Sequence, residues 1–268
     1  MTKAHFSATQ LSLIATCPEA FRRRYIERER MPSGLAAARG KGLHGGAAHN
    51  FRQKIQSGID LRVNDIIDSG IAAFDEEIKD GVLLAPDEAG RGADLVAGET
   101  RDDLRAMLDC HAKSQAPAYQ PLFVEHKVLI ELPNAPRDLM GVLDVATADA
   151  VIDFKTAKRS KPKDEADTSV QLTIYAACFR QETGKSPSFV ALDSVIQTAK
   201  ETKRQLLVSK RDEADFRALA HRINAVQQQI DAGSFPPAPS GSWQCSQRYC
   251  SYFPTCRFVN PGRHSQGD

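Results

Sequence analysis

The stretch Gly141–Lys158, GVLDVATADAVIDFKTAK, decides the fold, because it puts charged side chains inside two segments that should be buried. Two apolar runs, LMGVLDVAT (139–147) and AVIDFKT (150–156), predict a β-hairpin with a two-residue tip. In that register Asp144 faces Asp153 directly across the ladder, with Cβ atoms about 5 Å apart. Charged residues are rarely buried unless they are paired or hold a metal. The hairpin therefore predicts a functional site in which these buried carboxylates are paired or hold a metal.

The chemistry of that site follows from the residue types. Side chains alternate along a strand, so Lys155 shares the face of Asp153 while Phe154 points into the core. Two opposed carboxylates repel each other and favour a cation between them, and Mg²⁺ is typically held by one or two carboxylates. A lysine beside a metal can orient or deprotonate the attacking water, or stabilise charge on a phosphate. The alternative is a surface salt bridge between Asp153 and Lys155, but the apolar flanks favour a buried hairpin.

Two residues outside the hairpin are further candidates for the metal. His44 lies in GKGLHGGAAH (40–49), a Gly-rich start of a predicted helix, where glycines would allow close approach to a neutral imidazole. Its alternative role is helix capping or packing, and His49 is the weaker candidate because it points elsewhere around the helix. Glu125, in the strand pattern FVEHKV, is either a further ligand or an exposed strand glutamate.

The segment after the hairpin carries a pair of polar residues. Gln171 and Tyr175 are spaced i, i+4, so they share one face of the predicted helix 167–183. Facing the carboxylates, they could position a nucleic-acid backbone. Taken alone, the pair also fits an ordinary helix with one half-buried tyrosine.

The chain as a whole predicts a mixed α/β (α+β) core with a helical N-terminal region and a Cys-rich C-terminal segment. We expect one intertwined domain in three regions: 1–118, 119–232 and 233–268. Predicted helices cover 9–30 (capped by Thr9), 62–79, 99–115, 167–183 and 211–231, and the segment 38–58 starts Gly-rich and becomes a helix that ends at Gly58. Predicted strands cover 122–132, 139–147, 150–156, 188–196 and 204–209.

The composition of the 268 residues is that of an ordinary globular protein, with 41% hydrophobic residues, 26% charged residues and a net charge of +1. No apolar run reaches the roughly 18 residues of a membrane span, and the N-terminus lacks a signal-peptide pattern. We therefore expect a cytoplasmic protein with no membrane partner, in which disulfides are unfavoured. No GxxxxGK[ST] motif occurs, so any motor would be a separate protein.

Four of the six cysteines suggest a shared site. Cys245, Cys250 and Cys256 cluster in the tail, and Cys17 lies far away near the N-terminus. One distant and three clustered thiols suit a 4Fe-4S cluster or Zn²⁺, which would tie the first helix to the last segment and couple binding to folding. The alternative is that they bind nothing.

The residues around these cysteines carry two further expectations. At most one or two of the three arginines that follow Cys17 can face a phosphate backbone. The tail aromatics should pack around the bound group rather than stack on bases: Trp243, Tyr249, Tyr252 and Phe253. Cys110 and Cys178 lie in helical patterns and are expected to be core thiols.

In this order, the motifs resemble those of PD-(D/E)XK nucleases of the RecB-like branch, which includes the nuclease subunits of bacterial recombination helicases and the CRISPR adaptation exonucleases. The resemblance spans residues 7–179 and rests on LSLIATCPEAFRRRYI, GKGLH, GVLD, DFK and QLTIY. It implies a restriction-endonuclease-like mixed central β-sheet flanked by helices.

The resemblance also implies roles for individual residues. His44, Asp144 and Asp153 would bind Mg²⁺ or Mn²⁺, Lys155 would be the catalytic lysine, and Gln171 and Tyr175 would form the helix motif. A 4Fe-4S cluster would be held by Cys17, Cys245, Cys250 and Cys256. The tail has four residues between its first two cysteines where the family usually has two, so Zn²⁺ remains the alternative.

The leading hypothesis is therefore a metal-dependent DNA nuclease, an exonuclease on single-stranded DNA or DNA ends, in recombination, repair or CRISPR adaptation. Its partners would be DNA and a helicase or recombination protein. The alternative is a non-cutting DNA-binding or scaffold subunit, whose expected sign, a lost ligand or lysine, is not seen. A third hypothesis is a zinc-stapled protein unrelated to nucleic acid.

Overall fold

The computed structural model describes residues 4–133 and 135–259 of the chain. The outer ends of two of the predicted regions, residues 1–3 and 260–268, lie outside the described residues. The division into three regions therefore stays a prediction. No helix in the described residues combines the length and the apolar character needed to cross a membrane.

The described elements begin with a short strand that the sequence did not predict and then follow the predicted order of helices, three strands, a helix, two strands and a helix. The strands are β1 (His5–Ser7), β2 (Phe123–Ile130), β3 (Asp138–Ala146), β4 (Ala150–Ala157), β5 (Phe189–Gln197) and β6 (Thr202–Ser209). The α-helices are α1 (Ala8–Thr16), α2 (Pro18–Phe21), α3 (Leu35–Ser57), α4 (Val63–Ile78), α5 (Pro86–Ala89), α6 (Ala93–Cys110), α7 (Val170–Thr183) and α8 (Glu213–Asp231).

The strands form one mixed sheet in the order β1-β3-β4-β5-β6, with β2 also paired to β3. The β1–β3 and β4–β5 pairs are parallel, and the other pairs are antiparallel. Helices α3, α4 and α6 share an apolar core with one face of the sheet, and α1, α7 and α8 share another with the opposite face. The predicted mixed central sheet flanked by helices is confirmed.

Strand β4 shows how the two layers sort its side chains. Ile152 and Phe154 belong to the core beneath α3 and α6, and Val151 belongs to the core beneath α7. Asp153 and Lys155 therefore lie on the α7 face by alternation. This orientation places the charged pair beneath the helix that carries Gln171.

One edge of strand β3 is shared between β1 and β4, and the carboxylates lie where β3 parts from β4. Its first residues, Asp138–Met140, pair with β1, and its last two pair with β4 as Val145↔Ile152 and Ala146↔Val151. This is the predicted hairpin register, but the ladder does not continue to Asp144 and Asp153. Instead, the backbone N–H of Phe154 donates to Asp144 Oδ2 at 2.9 Å. The expectation that the two carboxylates face each other within the ladder was wrong, because the strands separate there.

The Gly-rich segment around His44 lies within α3, and the prediction that it only begins the helix was wrong. A Cβ atom on Gly42 would lie 2.9 Å from the carbonyl oxygen of Gly70, and one on Gly46 would lie 2.8 Å from that of Ile66. These glycines let the backbones of α3 and α4 approach closely. They position His44 through helix packing rather than by exposing backbone to a ligand.

The N-terminal segment also differs from the continuous helix predicted over 9–30. Ser7, not Thr9, caps α1 and forms a capping box with Gln10. Cys17 has extended backbone angles (φ −153°, ψ 97°) between α1 and α2. The chain is interrupted at the residue that carries the isolated N-terminal thiol.

Candidate active site

Three potential ligands from three elements meet beside the parting strands. His44 comes from the middle of α3, Glu125 from β2 and Asp144 from β3, and one ligand atom of each lies within 4.8 Å of the others. His44 Nδ1 is 3.4 Å from Asp144 Oδ2 and 3.7 Å from Glu125 Oε1. The site is half-open, because 29% of the His44 and Glu125 side chains is exposed against 9% of the Asp144 side chain.

An irregularity in two adjacent strands creates this meeting point. Glu125 has a positive φ of 47°, which is strained for a glutamate, and it lies opposite Asp144 by the register of the flanking pairs. Val124 packs in the α3-side core, whereas Val128 packs in the α7-side core, although residues four apart in a regular strand share a face. Backbone strain of this kind costs of order 1–3 kcal/mol and clusters at functional sites.

The same switch of faces occurs in β3. Leu143 packs in the α7-side core and Val145 in the α3-side core, with Asp144 between them. In a regular strand, residues two apart point to the same side. The side chain at the point of the switch is therefore free to reach both the imidazole of α3 and the backbone of β4.

The electrostatics of this group reflect crowding of negative charge. Burial lowers the pKa of His44, but the carboxylates of Asp144 and Glu125 outweigh burial and raise that pKa to about 9. Burial raises the pKa of Asp144 to about 7, with a further contribution from Asp153. Without another cation, protons bound to His44 and Asp144 offset the negative charge of the cluster, and a divalent cation would replace these protons.

Asp153 and Lys155 form the second half of the site. Asp153 is fully buried, and Lys155 Nζ donates to its Oδ1 at 3.0 Å and lies 2.8 Å from its Oδ2. The approach to Oδ2 has poor hydrogen-bond geometry, so among the described residues this buried oxygen accepts no hydrogen bond. A buried acceptor without a donor needs an explanation, and this oxygen is suited to bind a divalent cation.

Helix α7 holds the lysine from the other side. Gln171 Oε1 accepts a hydrogen bond from Lys155 Nζ at 3.0 Å, and Gln171 Nε2 donates to the hydroxyl of Tyr175 at 2.7 Å. Burial lowers the pKa of Lys155, but Asp153 and Asp144 outweigh it and raise the net value. The ammonium is therefore held between a carboxylate and an amide oxygen, with one side still open to solvent.

The four predicted cysteines line one small cavity of about 60 Å³ between α2 and the tail: Cys17, Cys245, Cys250 and Cys256. All four are reduced and partly exposed. Among the described residues no three of these sulfur atoms lie within 4.8 Å of one another. Burial, together with the charges of the neighbouring thiols, raises the pKa of Cys245 and of Cys250.

Polar contacts tie the tail to the N-terminal segment independently of the thiols. Arg23 donates to the carbonyl oxygen of Tyr252 at 3.1 Å and to Thr255 Oγ1 at 2.7 Å, and it pairs with Glu29 at 2.6 Å. Arg22 pairs with Glu19. Two of the three consecutive arginines therefore serve the protein's own structure.

The tail aromatics divide into two pairs. Tyr252 and Phe253 are buried, as expected for packing around the thiols. Trp243 and Tyr249 are 65% and 59% exposed, so the prediction that they also pack there was wrong. Both line a separate, larger groove that contains Lys155.

The structure thus brings seven of the predicted residues into one connected site: His44, Glu125, Asp144, Asp153, Lys155, Gln171 and Tyr175. It places the four cysteines at another, and it leaves His49 exposed on α3. Sequence reasoning missed Ser194, the partner of Lys155 in the β4–β5 pairing. The apolar run around Ser194 predicted the strand, but nothing in that run indicated its neighbour.

The family model described as the PD-(D/E)XK nuclease superfamily matches residues 5–257, nearly the whole chain. No curated protein matches the sequence.

Among solved structures, the crystal structure of a candidate exonuclease from Eubacterium rectale is similar, with a TM-score of 0.53 and 12% identity over 96% of this chain and 89% of that one. At that identity the likeness shows the fold alone. The crystal structure of SSO0001 has a TM-score of 0.44 and 14% identity over 96% and 87% of the two chains, and it carries no argument.

Proposed function

This chain belongs to the PD-(D/E)XK nuclease superfamily and is a metal-dependent, phosphodiester-hydrolysing nuclease, and we propose that it is a RecB-like deoxyribonuclease acting on single-stranded DNA or DNA ends. One observation carries the proposal. The carboxylates of Glu125, Asp144 and Asp153 surround a half-open site that also contains the ammonium group of Lys155. The excess of negative charge suits a divalent cation.

The residues fit such a cation. His44, Glu125 and Asp144 would hold Mg²⁺ or Mn²⁺, and the unsatisfied Oδ2 of Asp153 would complete the set. The three carboxylate groups match the preference of these ions for hard oxygen ligands, and the imidazole is a borderline ligand beside them. When bound, the metal would lower the pKa of a water molecule and neutralise charge on the scissile phosphate.

The protein's own groups supply orientation and a second positive charge. Lys155 is held by Asp153 and by Gln171, so its ammonium points toward the open side of the site at little cost in side-chain entropy. There it would stabilise the negative charge that grows on the phosphate as the bond to the leaving oxygen breaks. Tyr175 would fix the orientation of the Gln171 amide through its hydroxyl.

We also propose that the thiol cavity holds a 4Fe-4S cluster rather than Zn²⁺. A tetrahedral zinc site with Zn–S bonds of about 2.3 Å requires sulfur atoms about 3.8 Å apart. Among the described residues no three of these sulfur atoms come within 4.8 Å of one another. A cubane cluster binds each thiolate through a different iron atom and so needs a wider arrangement. Visible absorbance of the purified protein, with iron and sulfide analysis, tests this assignment.

The biological setting is part of the proposal. We propose DNA recombination, repair or CRISPR adaptation, with a separate helicase or recombination protein supplying any unwinding. The likeness to a candidate exonuclease is in keeping with cleavage from DNA ends.

The decisive experiment is a cleavage assay on end-labelled single- and double-stranded DNA with Mn²⁺, Mg²⁺ or EDTA. We expect the wild type to cut with either metal and Lys155→Ala to lose activity by about 10²-fold or more, because a transition-state charge partner is removed. Exposed Lys158, on the same segment, provides the matched control, and Lys158→Ala should cut normally. Absence of metal-dependent cutting by the wild type, or full activity in Lys155→Ala, would reject the proposal.

A further inference from the structure

A groove of about 910 Å³ extends from the candidate active site to the Cys-rich tail. Lys155 and Ser194 line it on the sheet, and Trp243 and Tyr249 line it on the tail. The groove is therefore a continuous surface between Lys155 and a segment more than 80 residues further along the chain.

The tail contributes an aromatic pair that the fold does not bury. The ring centroids of Trp243 and Tyr249 are 4.7 Å apart, with the ring planes at 88°, so the pair is a defined edge-to-face unit. Arg248, which precedes Tyr249, pairs with Asp87 and helps to hold this part of the tail. Scattered apolar residues are common on surfaces, but these two rings are in contact and line the same groove as the active site.

The groove also offers positive charge that no carboxylate of the described residues neutralises, although Arg24 lies over the ring of Tyr25. Arg24 and Arg222 line it, are exposed, and form no ion pair with any residue in the described ranges. This contrasts with Arg22 and Arg23, which are paired with glutamates. Two unpaired guanidinium groups beside exposed rings match a ligand with both anionic and aromatic parts.

The sheet side of the groove is polar and not fully satisfied. Ser194 is 1% exposed, and its Oγ has no hydrogen-bond partner among the described residues. It lies beside Lys155 in the parallel β4–β5 pairing. Ser194 is therefore a hydrogen-bonding group next to Lys155 whose capacity the described residues leave unused.

From these features, and resting on the proposed nuclease function, we propose that Trp243 and Tyr249 form a base-stacking platform. It would bind single-stranded DNA in preference to duplex DNA and direct the strand toward the candidate active site at Lys155. Unpaired bases expose their faces to aromatic side chains, whereas the bases of a duplex are already stacked on each other. Arg24 and Arg222 would contact the phosphates. The platform makes the single strand, rather than the duplex, the substrate of this groove.

The protein carries its own probe, because Trp243 is its single tryptophan. We would titrate the full-length protein, without added divalent metal so that no cleavage occurs, with oligothymidylate, a blunt duplex and an abasic strand of equal length. Oligothymidylate should quench the Trp243 fluorescence, and the duplex and the abasic strand should not. Equal quenching or binding by the abasic strand or the duplex would overturn the proposal, since neither offers free base faces.

Variants separate stacking from folding. Tyr249→Ala should weaken binding of oligothymidylate by about 5- to 150-fold, whereas Tyr249→Phe, which retains the ring, should bind like the wild type. Leu95→Ala removes an equally exposed apolar side chain from α6 and is the control. Unchanged binding by Tyr249→Ala, measured by anisotropy of a labelled strand, would contradict the platform.

Two further readouts keep this test apart from the test of the nuclease function. The metal or iron content of Tyr249→Ala should equal that of the wild type, which shows that the tail is intact. In cleavage assays the variant should raise KM for single strands and leave kcat nearly unchanged. A protein that quenches with single strands but never cuts would reject the nuclease proposal and leave the platform standing.

Discussion

Two neighbouring strands each carry a fully buried aspartate, but the two carboxylates differ in how completely they are hydrogen-bonded. Asp193 on β5 accepts hydrogen bonds from Gln115, Tyr119 and Arg204, at distances of 2.6 to 3.0 Å. Asp153 on β4 has one lysine partner and an oxygen that accepts no hydrogen bond among the described residues. Burial is the same for both, so burial alone does not identify a functional carboxylate.

The position of the two residues explains the difference. Asp193 pairs with Phe154 in the β4–β5 register, so it points toward the α6 side, where the polar side chains that follow α6 can surround it. Asp153 points to the other face, beside Asp144 and beneath α7. A buried charge whose hydrogen bonds are complete stabilises the fold, whereas one left incomplete beside a like charge costs stability and is available to a ligand.

The largest effect should come from breaking the incomplete site. We expect Asp153→Asn to reduce metal-dependent cleavage by about 10³-fold or more, because a metal ligand worth several kcal/mol in the transition state is removed. Its loss of thermal stability should be smaller than that of Asp193→Asn, since the wild-type carboxylate is not fully hydrogen-bonded. Mn²⁺ should raise the Tm of the wild type but not of this variant. Cleavage near the wild-type rate would contradict the assignment.

The complementary variant acts on the saturated carboxylate. Asp193→Asn should lower the free energy of unfolding by about 3 kcal/mol, because it leaves the charge of Arg204 without its partner inside the network. For a chain of this size that corresponds to a Tm lower by roughly 5 to 10 °C. Activity at 20 °C should stay within a few-fold of the wild type. An inactive Asp193→Asn variant with wild-type stability would contradict the assignment of Asp193 to the fold rather than to the active site.

A smaller effect should appear in the pH dependence of stability, through the histidine that supports the Asp193 network. His111 is fully buried between Phe51 and Phe154, and its Nδ1 shares a hydrogen bond of 2.8 Å with Gln115 Oε1. Because Gln115 Nε2 donates to Asp193, Gln115 Oε1 accepts, and His111 is neutral with its proton on Nδ1. Burial lowers the pKa of His111 to about 4.

The sign of the pH effect follows from that pKa. Between about pH 6.5 and pH 4 the unfolded chain binds a proton at His111 that the folded chain does not, so stability falls as the pH falls through this window. The contribution lost is roughly 2 to 3 kcal/mol by pH 4. In urea unfolding between pH 6.5 and 4.5, the free energy of unfolding of His111→Phe should depend less steeply on pH than that of the wild type. His221→Ala, at an exposed position, should show the wild-type dependence. Equal slopes in wild type and His111→Phe would refute the buried neutral imidazole.

Local signals in the sequence account for most of the architecture. The alternation of apolar residues located β2 to β6 because half-buried strands must repeat every two residues. Gly58 and Gly184, with φ of 78° and 70°, end α3 and α7 where the sequence predicts, because glycine adopts the left-handed conformation without strain. The charged residues of the hairpin could be selected from the same pattern, since their burial needed a reason.

Other features depended on contacts that no local pattern contains. The start of α3 was predicted too late, because its glycines are tolerated within the helix through packing against α4. Glu125 was an open choice until its positive φ and its position opposite Asp144 were seen. The exposure of Trp243 and Tyr249 likewise depends on where the tail packs against the rest of the protein. The sequence does not indicate whether an aromatic ring in such a segment is buried or exposed.

Residues near one another in the chain fix the set of chemical groups, the register of the hairpin tip and the alternation that puts Asp153 and Lys155 on one face, so these features could be read from the sequence. The tertiary structure alone decided that β3 parts from β4 at the carboxylates, and that one buried aspartate is satisfied while its neighbour is not. Hydrogen-bond saturation is a sum over partners from distant segments, such as Gln115 and Arg204 around Asp193. That sum exists only once the chain has folded.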